Sequence, residues 1–430
     1  MFLNWIYNLL QCLVLTLLAP AWLLLALRPK YRGRISGRLG LGLPALQHRA
    51  AEHPLLWIHA LSLGEVSSAA PLIAELRRAL PQARLILTTT TSSGHRFAQE
   101  RLSGILDHIL PAPFDFFWTV RRFHHCLRPD LFILVETDFW PNWLRELARR
   151  QVPLVLVNGR ISARSWQRYQ RLACFFRPLF RHFSLLCTQT AEDAERFAAM
   201  GLDAEKIAVL GNLKYASLKH RLVPPLERSA LGFSPEAPLW ICGSTHPGEE
   251  TILFQVYQRL RRDFPKLELL LAPRNPGRGA EIATLAAAAG LACRRRSDPR
   301  NQQGPILLLD TLGELAACYG CATVAFIGGS LVAAGGHNPL EAAAHGVPLL
   351  HGPHMEDFQE IARDLTQAGA ARTVRNADEL TSAMTTLLTD AAARHRMAAA
   401  ATGLVARHEA VVERHLARIL PLCRPCRSSG

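Results

Sequence analysis

The strongest local signal in this chain is the stretch Ile327-Gly-Gly-Ser-Leu-Val-Ala-Ala-Gly-Gly-His-Asn-Pro-Leu-Glu341. It follows an apolar run, starting at Thr323, that predicts a buried strand. Its two glycine pairs let the backbone turn tightly and come close to a ligand. Asn338 is a good N-cap, Pro339 a good first helical residue, and Glu341 stands where a capping box places an acid. The stretch therefore predicts a strand, a glycine loop and the start of a helix.

That arrangement is typical of a phosphate site. Backbone N–H groups and the positive end of a helix dipole would both point at the anion. A tight β-α turn without a ligand has the same local pattern, so this alternative stays open at the level of the motif.

Outward from this stretch, apolar runs alternate with helical segments on both sides. The runs predicted as strands are 55–60, 83–89, 131–135, 152–157, 185–189, 207–210, 239–242, 267–271, 306–309, 323–327 and 347–350. Polar residues follow most of them. Strand, polar loop and helix repeated in this way indicate parallel, doubly wound α/β sheets.

The alternation is interrupted at Val223-Pro-Pro225, which indicates a domain boundary. We predict a membrane anchor at 1–30, Rossmann-like domains at 31–222 and 223–422, and a tail at 423–430. Ligands of such sheets bind at the carboxyl ends of the strands. Two such halves facing a central cleft form the GT-B glycosyltransferase layout, which some epimerases and phosphorylases share.

The N-terminus is uncharged from Asn4 to Leu27. At about 1.5 Å per residue, a helix over 6–27 is long enough to span a bilayer. The basic residues that follow, from Arg28 to Arg38, place the rest of the chain in the cytoplasm. Pro20 interrupts the run, so a helix that inserts without crossing also fits, as does a buried core helix.

The charge balance restricts the partners. The net charge is +14 and the pI about 9.8. Such an excess is typical of proteins that bind nucleic acid, an anionic membrane surface or a phosphorylated substrate. No RNA-binding or helix-turn-helix signature is present, so we expect no nucleic acid. The ten scattered cysteines favour a reducing compartment, and the pairs Cys318/Cys321 and Cys423/Cys426 lack the spacing of a compact zinc module.

A set of short motifs gives a specific resemblance. They are Ser62-Leu-Gly-Glu65, Glu136-Thr-Asp-Phe-Trp-Pro-Asn142, Gly211-Asn-Leu-Lys214, Gly243-Ser-Thr-His246, Pro273-Arg274, Gly313-Glu314, Gly336-His-Asn-Pro-Leu-Glu341 and Gly352-Pro-His354. In this order, behind an apolar N-terminus, they resemble the bacterial 3-deoxy-D-manno-octulosonic acid (Kdo) transferases. The resemblance implies an inverting GT-B glycosyltransferase of lipopolysaccharide core biosynthesis, on the cytoplasmic face of the bacterial inner membrane. It would transfer Kdo from CMP-Kdo to a phosphorylated lipid A precursor, lipid IVA.

The resemblance also implies roles for individual residues. Glu65 would be the general base, and Glu136 and Lys214 would stabilise the transition state. The residues implied for CMP binding are Pro273, Arg274, Leu312, Gly313, Glu314, Asn338, Pro339, Leu340 and Glu341. Three histidines are polar enough to line the same site or to pack in its loops, namely His246, His337 and His354. No cofactor and no metal are expected.

The sequence departs from the family pattern in places. Asn275 and Gly277 stand where histidine and glutamate are common, and Ala216 replaces a common aspartate. A basic and aromatic stretch, 160–181, suits a phosphorylated lipid at a membrane, or an ordinary amphipathic helix with a solvated basic face. Two other functions remain open: a GT-B transferase that uses a UDP-sugar, and a non-catalytic membrane adaptor that binds anionic lipid.

Overall fold

The computed structural model describes residues 2–17, 35–44, 53–218, 224–298 and 304–423. The chain divides into two units, one formed by Met1–Ser217 with Ala410–Gly430 and the other by Leu218–Glu409. Each unit contains one sheet of seven parallel strands. The doubly wound α/β prediction is confirmed. The expected boundary at 222/223 falls a few residues after the observed division.

The sheet of the first unit has the strand order β3-β2-β1-β4-β5-β6-β7. Its strands are β1 (Leu55–Ala60), β2 (Arg84–Thr89), β3 (His108–Pro111), β4 (Leu131–Val135), β5 (Leu154–Gly159), β6 (Leu185–Thr188) and β7 (Ile207–Val209). The helices that precede or connect them are α1 (Phe2–Leu17), α2 (Leu63–Ala79), α3 (Ser92–Leu102), α4 (Phe117–Leu127), α5 (Pro141–Arg149), α6 (Ala163–Arg171), α7 (Ala173–Phe180) and α8 (Ala191–Ala199).

The central strands of this sheet are buried on both faces. Along β1, Leu56 and Ile58 join one apolar cluster, whereas Leu55 and Trp57 join another. This follows from the two-residue period of a strand, which sends successive side chains to opposite faces. It explains why the central strands are continuous apolar runs in the sequence.

The sheet of the second unit has the order β10-β11-β9-β8-β12-β13-β14. Its strands are β8 (Leu239–Thr245), β9 (Glu268–Pro273), β10 (Cys293–Arg295), β11 (Ile306–Leu308), β12 (Val324–Ile327), β13 (Leu349–His351) and β14 (Ala371–Thr373). Its helices are α9 (Glu249–Asp263), α10 (Gly279–Ala288), α11 (Leu315–Tyr319), α12 (Leu340–Ala344), α13 (Gln359–Gln367), α14 (Ala377–Thr389) and α15 (Ala391–Glu409). Short 3-10 turns lie at Ala204–Lys206, Leu213–Leu218, Ser229–Leu231, Pro276–Arg278, Glu356–Phe358 and Leu420–Cys423.

The last helix, α16 (Val411–Ile419), corrects the domain prediction. It belongs to the first unit, so the expectation that 223–422 forms one domain is wrong for residues 410–422. Val411 and Ile419 are buried in the apolar cluster beneath α2, because they share one face of the helix. Cys423, expected in a tail, is buried in the same cluster.

The N-terminal helix α1 covers part of the predicted anchor. Met1 and residues 18–30 of that prediction lie outside the described part of the chain. Among the described residues, no helix is both long enough and apolar enough to cross a membrane.

Candidate active site

Glu65 lies at the carboxyl end of β1, in the first turn of α2. Ser62 is the N-cap of this helix, and its hydroxyl accepts the Glu65 N–H at 3.5 Å. In return, Glu65 Oε2 accepts the Leu61 N–H at 2.5 Å. This is a variant of the capping box, and it fixes the direction of the carboxylate. The side chain is buried, with 7% of the residue exposed.

Glu136 directly follows the neighbouring strand β4 and is also buried. Its φ of +63° lies in the left-handed region, which a glutamate seldom adopts. Its carboxylate accepts a hydrogen bond from Asn158 Nδ2 at 3.2 Å and lies 3.5 Å from Arg160 Nε. These contacts hold the acid in a strained conformation of the kind that clusters at functional sites.

The carboxylates act on one another electrostatically. Burial, together with the charges of Glu136 and Asp138, raises the pKa of Glu65 to about 8. The Leu61 N–H and the Arg160 guanidinium act in the opposite direction. A carboxyl group with a pKa near neutrality can both take up and release a proton under physiological conditions.

Asp138 was not assigned a role from the sequence, although it lies inside one of the quoted motifs. Its Oδ2 accepts the Trp140 indole N–H at 2.7 Å and lies 2.9 Å from Nε2 of the fully buried His59. The other ring nitrogen of His59 lies 3.0 Å from Thr88 Oγ1. A histidine within the apolar strand β1 was the signal that could have identified this pair.

Lys214 is connected to Glu136 through a network of amides. Asn158, which binds Glu136, also accepts the Leu213 N–H at 2.9 Å. Gln189 donates to the Asn158 carbonyl at 3.0 Å and accepts from Asn212 at 3.1 Å. Asn212 in turn accepts the Lys214 N–H at 2.9 Å. The structure thus links Glu136 to the segment that carries Lys214, and brings Glu65 next to Glu136.

In the second unit, the surroundings of the first glycine pair, Gly328 and Gly329, differ from the predicted phosphate site. The carboxylate of Glu249 accepts four backbone N–H groups and is fully buried. The donors are Gly329 at 2.7 Å, Leu331 and His246 at 2.9 Å, and Ser330 at 3.0 Å. The N–H groups expected to bind a phosphate are therefore occupied by an anion of the protein itself.

The helix after the second glycine pair is short. It is α12, with five residues, and Pro339 rather than the predicted Asn338 is its N-cap residue. Asn338 Oδ1 still accepts the Leu340 N–H at 3.1 Å. A helix of this length has a small macrodipole, so the dipole contributes little to anion binding.

Two of the three predicted histidines lie together beside this loop. Nε2 of His246 and Nε2 of His337 are 2.8 Å apart, and their rings stack at 5.0 Å. Burial lowers the pKa of His337 to about 4, helped by the neighbouring His246 and Arg274. Gly329 has a φ of +68°, and a Cβ on it would lie 3.2 Å from the His337 ring. The third histidine, His354, lies 3.2 Å from Glu356.

The other residues implied for nucleotide binding differ in exposure. Arg274 is exposed at the end of β9, and Leu312 is 80% exposed next to Gly313, whose φ is +90°. Glu314 is half-buried; burial acts to raise its pKa, but hydrogen bonds from Thr311 and Arg296 leave the pKa below its usual value. The side chains of Pro273, Pro339 and Leu340 are buried, and Asn338 and Glu341 are half-buried. These assignments stay predictions.

Asn275 and Gly277, two of the residues that depart from the family pattern, form a hydrogen-bonded turn after β9. Asn275 Oδ1 accepts the Gly277 N–H at 3.0 Å, which caps the turn Pro276–Arg278. Arg278 then donates to the fully buried Glu250 at 2.7 Å. In the described ranges, no three His, Cys, Asp or Glu side chains are grouped closely enough to hold a metal ion.

The basic and aromatic stretch separates into two faces. Its aromatic side chains pack against the core of the first unit, namely Trp166, Tyr169, Phe175, Phe176 and Phe180. Its exposed arginines are Arg164, Arg168, Arg171, Arg177 and Arg181. The aromatic residues therefore stabilise α6 and α7, and the arginines are the groups available to an anionic partner.

Comparison with known proteins is consistent with this arrangement. A family model described as 3-Deoxy-D-manno-octulosonic-acid transferase (kdotransferase) matches residues 33–217. Two solved structures show similarity in fold alone. A putative UDP-N-acetylglucosamine 2-epimerase from Listeria monocytogenes has a TM-score of 0.57 and 17% identity, and the match covers 87% of this chain and 98% of that chain. The calicheamicin glycosyltransferase has a TM-score of 0.50 and 15% identity, and the match covers 88% of this chain and 100% of that chain.

The sequence relationship is more specific than the fold. The 3-deoxy-D-manno-octulosonic acid transferase of Haemophilus influenzae is 33% identical over 404 residues, which is 92% of each chain. The match therefore includes both units and the motifs that carry Glu65, Glu136 and the glycine loop. On this evidence the chain belongs to the 3-deoxy-D-manno-octulosonic acid (Kdo) transferases, a family of glycosyltransferase enzymes.

Proposed function

We propose that this enzyme transfers Kdo from CMP-Kdo to a hydroxyl group of lipid IVA, the phosphorylated lipid A precursor of lipopolysaccharide core biosynthesis. Transfer inverts the anomeric centre, and Glu65 is the general base. The observation that carries this proposal is the buried pair of Glu65 and Glu136, in which the pKa of Glu65 rises to about 8.

The chemical step needs one proton acceptor. The acceptor hydroxyl attacks the anomeric carbon of Kdo while its proton moves to the carboxylate of Glu65. A new C–O bond forms, the bond from that carbon to the phosphate oxygen breaks, and CMP leaves with the electron pair. Attack from the face opposite the phosphate inverts the centre. A general base of this kind typically accelerates such a step by about 10²–10⁴-fold.

Glu65 is suited to this role because only one of its two carboxylate oxygens accepts a hydrogen bond from the described residues. Its Oε2 binds the Leu61 N–H. Within the described residues, Oε1 has no hydrogen-bond donor and can accept the proton of a substrate. Negative charge on Glu136 and Asp138 makes Glu65 a stronger base, because it destabilises a second carboxylate nearby.

Lys214 and Glu136 serve the transition state in different ways. A lysine ammonium can offset the charge that develops on the departing phosphate. Glu136 contacts Asn158 and Arg160, so its role includes holding the amide network that leads to Lys214. Asp138 orients His59 and adds to the negative field on Glu65. In this scheme Asp138 is a positioning residue.

The donor is bound by the second unit. Arg274 supplies a cation for the phosphate of CMP, and Glu314 supplies a carboxylate for the ribose hydroxyls. The internal bond of Glu249 to Gly329, Ser330 and Leu331 keeps the first glycine loop rigid, without offering these N–H groups to the donor. Phosphate recognition therefore depends more on Arg274 than on this loop.

The acceptor is lipid-linked, so the enzyme works at a membrane surface, which we propose to be the cytoplasmic face of the bacterial inner membrane. The exposed arginines of α6 and α7 support this location, because they can pair with lipid headgroups or with the phosphates of the acceptor.

The test combines two readouts from one reaction. The enzyme is incubated in detergent with CMP-Kdo and lipid IVA. The release of CMP is followed with time, and the mass of the lipid product is measured by mass spectrometry. Glu65→Gln and the matched control Glu75→Gln, which changes a half-buried glutamate paired with Arg78 on the same helix α2, are compared with wild type. We expect acceptor-dependent CMP release, a lipid heavier by whole Kdo units, an inactive Glu65→Gln and an active control.

Other outcomes identify the alternatives. Binding of UDP in place of CMP, with no release from CMP-Kdo, would indicate a UDP-sugar transferase. Absence of nucleotide binding together with vesicle binding would indicate an adaptor. Full activity of Glu65→Gln would be compatible with the proposed reaction but would show that Glu65 is not the base.

A further inference from the structure

The N-terminal helix α1 is attached to the first unit through its polar side chains. Tyr7 donates its hydroxyl hydrogen to Asp115 Oδ2 at 2.7 Å, and Gln11 donates to the Asp115 carbonyl at 3.2 Å. The amide of Asn142 donates to Asn8 Oδ1 at 3.0 Å. Asp115 is buried and also accepts the backbone N–H of Asn142. The contact is therefore a specific polar interface.

The apolar side chains of α1 point away from that interface. Seven of them are between 37% and 71% exposed: Trp5, Ile6, Leu9, Leu10, Leu13, Val14 and Leu17. This is the reverse of an ordinary surface helix, which buries its apolar face and exposes its polar one. Such a face is energetically unfavourable in water and favourable in lipid.

The chain returns to the same place after the apolar stretch. The Arg38 carbonyl accepts the Phe114 N–H at 3.1 Å, and Arg38 Nε donates to the Ala112 carbonyl at 3.0 Å. Its guanidinium carbon lies 4.1 Å from the centre of the Phe114 ring. Tyr7, at the start of the predicted membrane segment, and Arg38, beyond its end, thus contact the adjacent residues Asp115 and Phe114.

We infer that α1 and residues 35–44, which flank residues 18–34, lie on the same side of the bilayer, so that the N-terminus lies on the side of the catalytic units. Bond lengths and hydrogen-bond distances limit the separation of the Tyr7 hydroxyl and the Arg38 carbonyl to about 15 Å. A single crossing would separate the two ends of the segment by the hydrocarbon thickness, about 30 Å. The inference rests on the membrane association proposed above and selects insertion without crossing over a full span.

The occupant of the exposed face of α1 is the acyl-chain region of one leaflet. The sequence is uncharged from Asn4 to Leu27, and the basic residues Arg28, Lys30, Arg32 and Arg34 follow at once. An uncharged stretch followed by basic residues is the residue order that suits an apolar acyl-chain region next to anionic headgroups.

The experiment measures the side on which the N-terminus lies. The full chain, with one epitope before Met1 and another after Gly430, is expressed in bacteria, and protease is added to sealed inside-out vesicles or to intact spheroplasts. We expect both epitopes to be lost in inside-out vesicles and both to survive in spheroplasts. Loss of the N-terminal epitope in spheroplasts alone overturns the inference. If the protein is recovered in the soluble fraction, both the topology inference and the proposed membrane association are wrong. The proposed Kdo transfer would not be affected by that result, because it is assayed separately in detergent.

A second measurement does not depend on the epitope. In membranes, Asn8→Cys combined with Asn142→Cys should form an intramolecular disulfide on mild oxidation, and neither single variant should. No cross-link in the paired variant would contradict attachment of α1 to the catalytic side.

A third measurement tests the lipid contact itself. Leu9→Asp with Leu13→Asp should lower the membrane-bound fraction by more than about tenfold. If these changes instead convert a dimer to a monomer and leave membrane binding unchanged, the exposed face binds a second copy and the assignment to lipid is wrong.

Discussion

Glu65→Gln should stabilise the enzyme at neutral and alkaline pH while it abolishes transfer. The native pKa of Glu65 is about 8, against 4.5 for an unperturbed glutamate. Between these values the native carboxyl holds a proton that the unfolded chain has released. The contribution of Glu65 to stability therefore falls as the pH rises from 4.5, and the loss is complete above pH 8.

The size of the effect follows from the shift. A rise of about 3.5 pKa units corresponds to about 5 kcal/mol above pH 8 and to about 3 kcal/mol at pH 7, at about 1.4 kcal/mol per unit. Glutamine removes this penalty but weakens the hydrogen bond from Leu61 by about 1 kcal/mol. We therefore expect a net gain of about 2 kcal/mol at pH 7, and no gain or a slight loss at pH 4.5.

The assay is urea unfolding of detergent-solubilised enzyme at pH 5, 7 and 8.5, with wild type, Glu65→Gln and Glu75→Gln in parallel. Glu75 forms a surface ion pair with Arg78 on the same helix, so its variant controls for loss of a carboxylate there. A Glu65→Gln enzyme less stable than wild type at pH 8.5 would refute the raised pKa and the interaction with Glu136 behind it.

The same pKa predicts the pH dependence of activity. If Glu65 is the base, kcat/KM for wild type should rise with pH and level off above about pH 8, because the active form is the carboxylate. A profile that is flat from pH 6 to 9 would mean that another group takes the proton.

Three further changes test the surroundings of the site. Arg278→Met should destabilise the enzyme by about 3–5 kcal/mol in urea unfolding, because it leaves the buried Glu250 without its cationic partner. Arg259→Met, at an exposed ion pair, should change stability by less than about 1 kcal/mol. Glu249→Gln should cost about 2–4 kcal/mol and speed up amide hydrogen exchange at 329–331, because its NH₂ group would face backbone N–H donors. Asn158→Ala should cost about 2–4 kcal/mol by the same unfolding assay, and Asn158→Gly should recover about 1 kcal/mol because φ is +55° there.

The central strands could be predicted from the sequence, whereas three of the four edge strands could not. The interval 131–135 was found without error because a strand buried on both faces consists of apolar residues alone. Three strands were missed, β3, β10 and β14, and each lies at the edge of its sheet. These three strands have three or four residues and include charged or polar side chains or a proline, so they have no periodicity to detect. The fourth edge strand, β7, is apolar throughout and was predicted.

The site was predictable where its contacts are local. Glu65 binds Leu61 and is bound by Ser62, and a capping pattern of this kind is visible in consecutive residues. The pairing of His59 with Asp138 joins positions 79 residues apart in sequence. The residue types were present, but their contact depends on the order of β1 and β4 in the sheet, which no short motif specifies.

The glycine loop shows why a motif can predict a geometry correctly and its ligand wrongly. Gly328 and Gly329 do form a tight turn after β12 that brings N–H groups together around an anion. The anion is Glu249, 80 residues away from Gly329 in sequence. Four N–H groups saturate its carboxylate, so it stabilises the loop and has little capacity left for a substrate proton.

Glu65 differs from Glu249 in this respect. Among the described residues it accepts the Leu61 N–H alone, and its neighbours Glu136 and Asp138 are themselves acidic. Hydrogen bonds from N–H groups stabilise an ionised carboxylate, whereas burial and like charges destabilise it. Two buried glutamates, each in the first turn of a helix after a parallel strand, thus differ in the donors around them. Glu65, the proposed base, is the carboxylate that the fold has left short of donors.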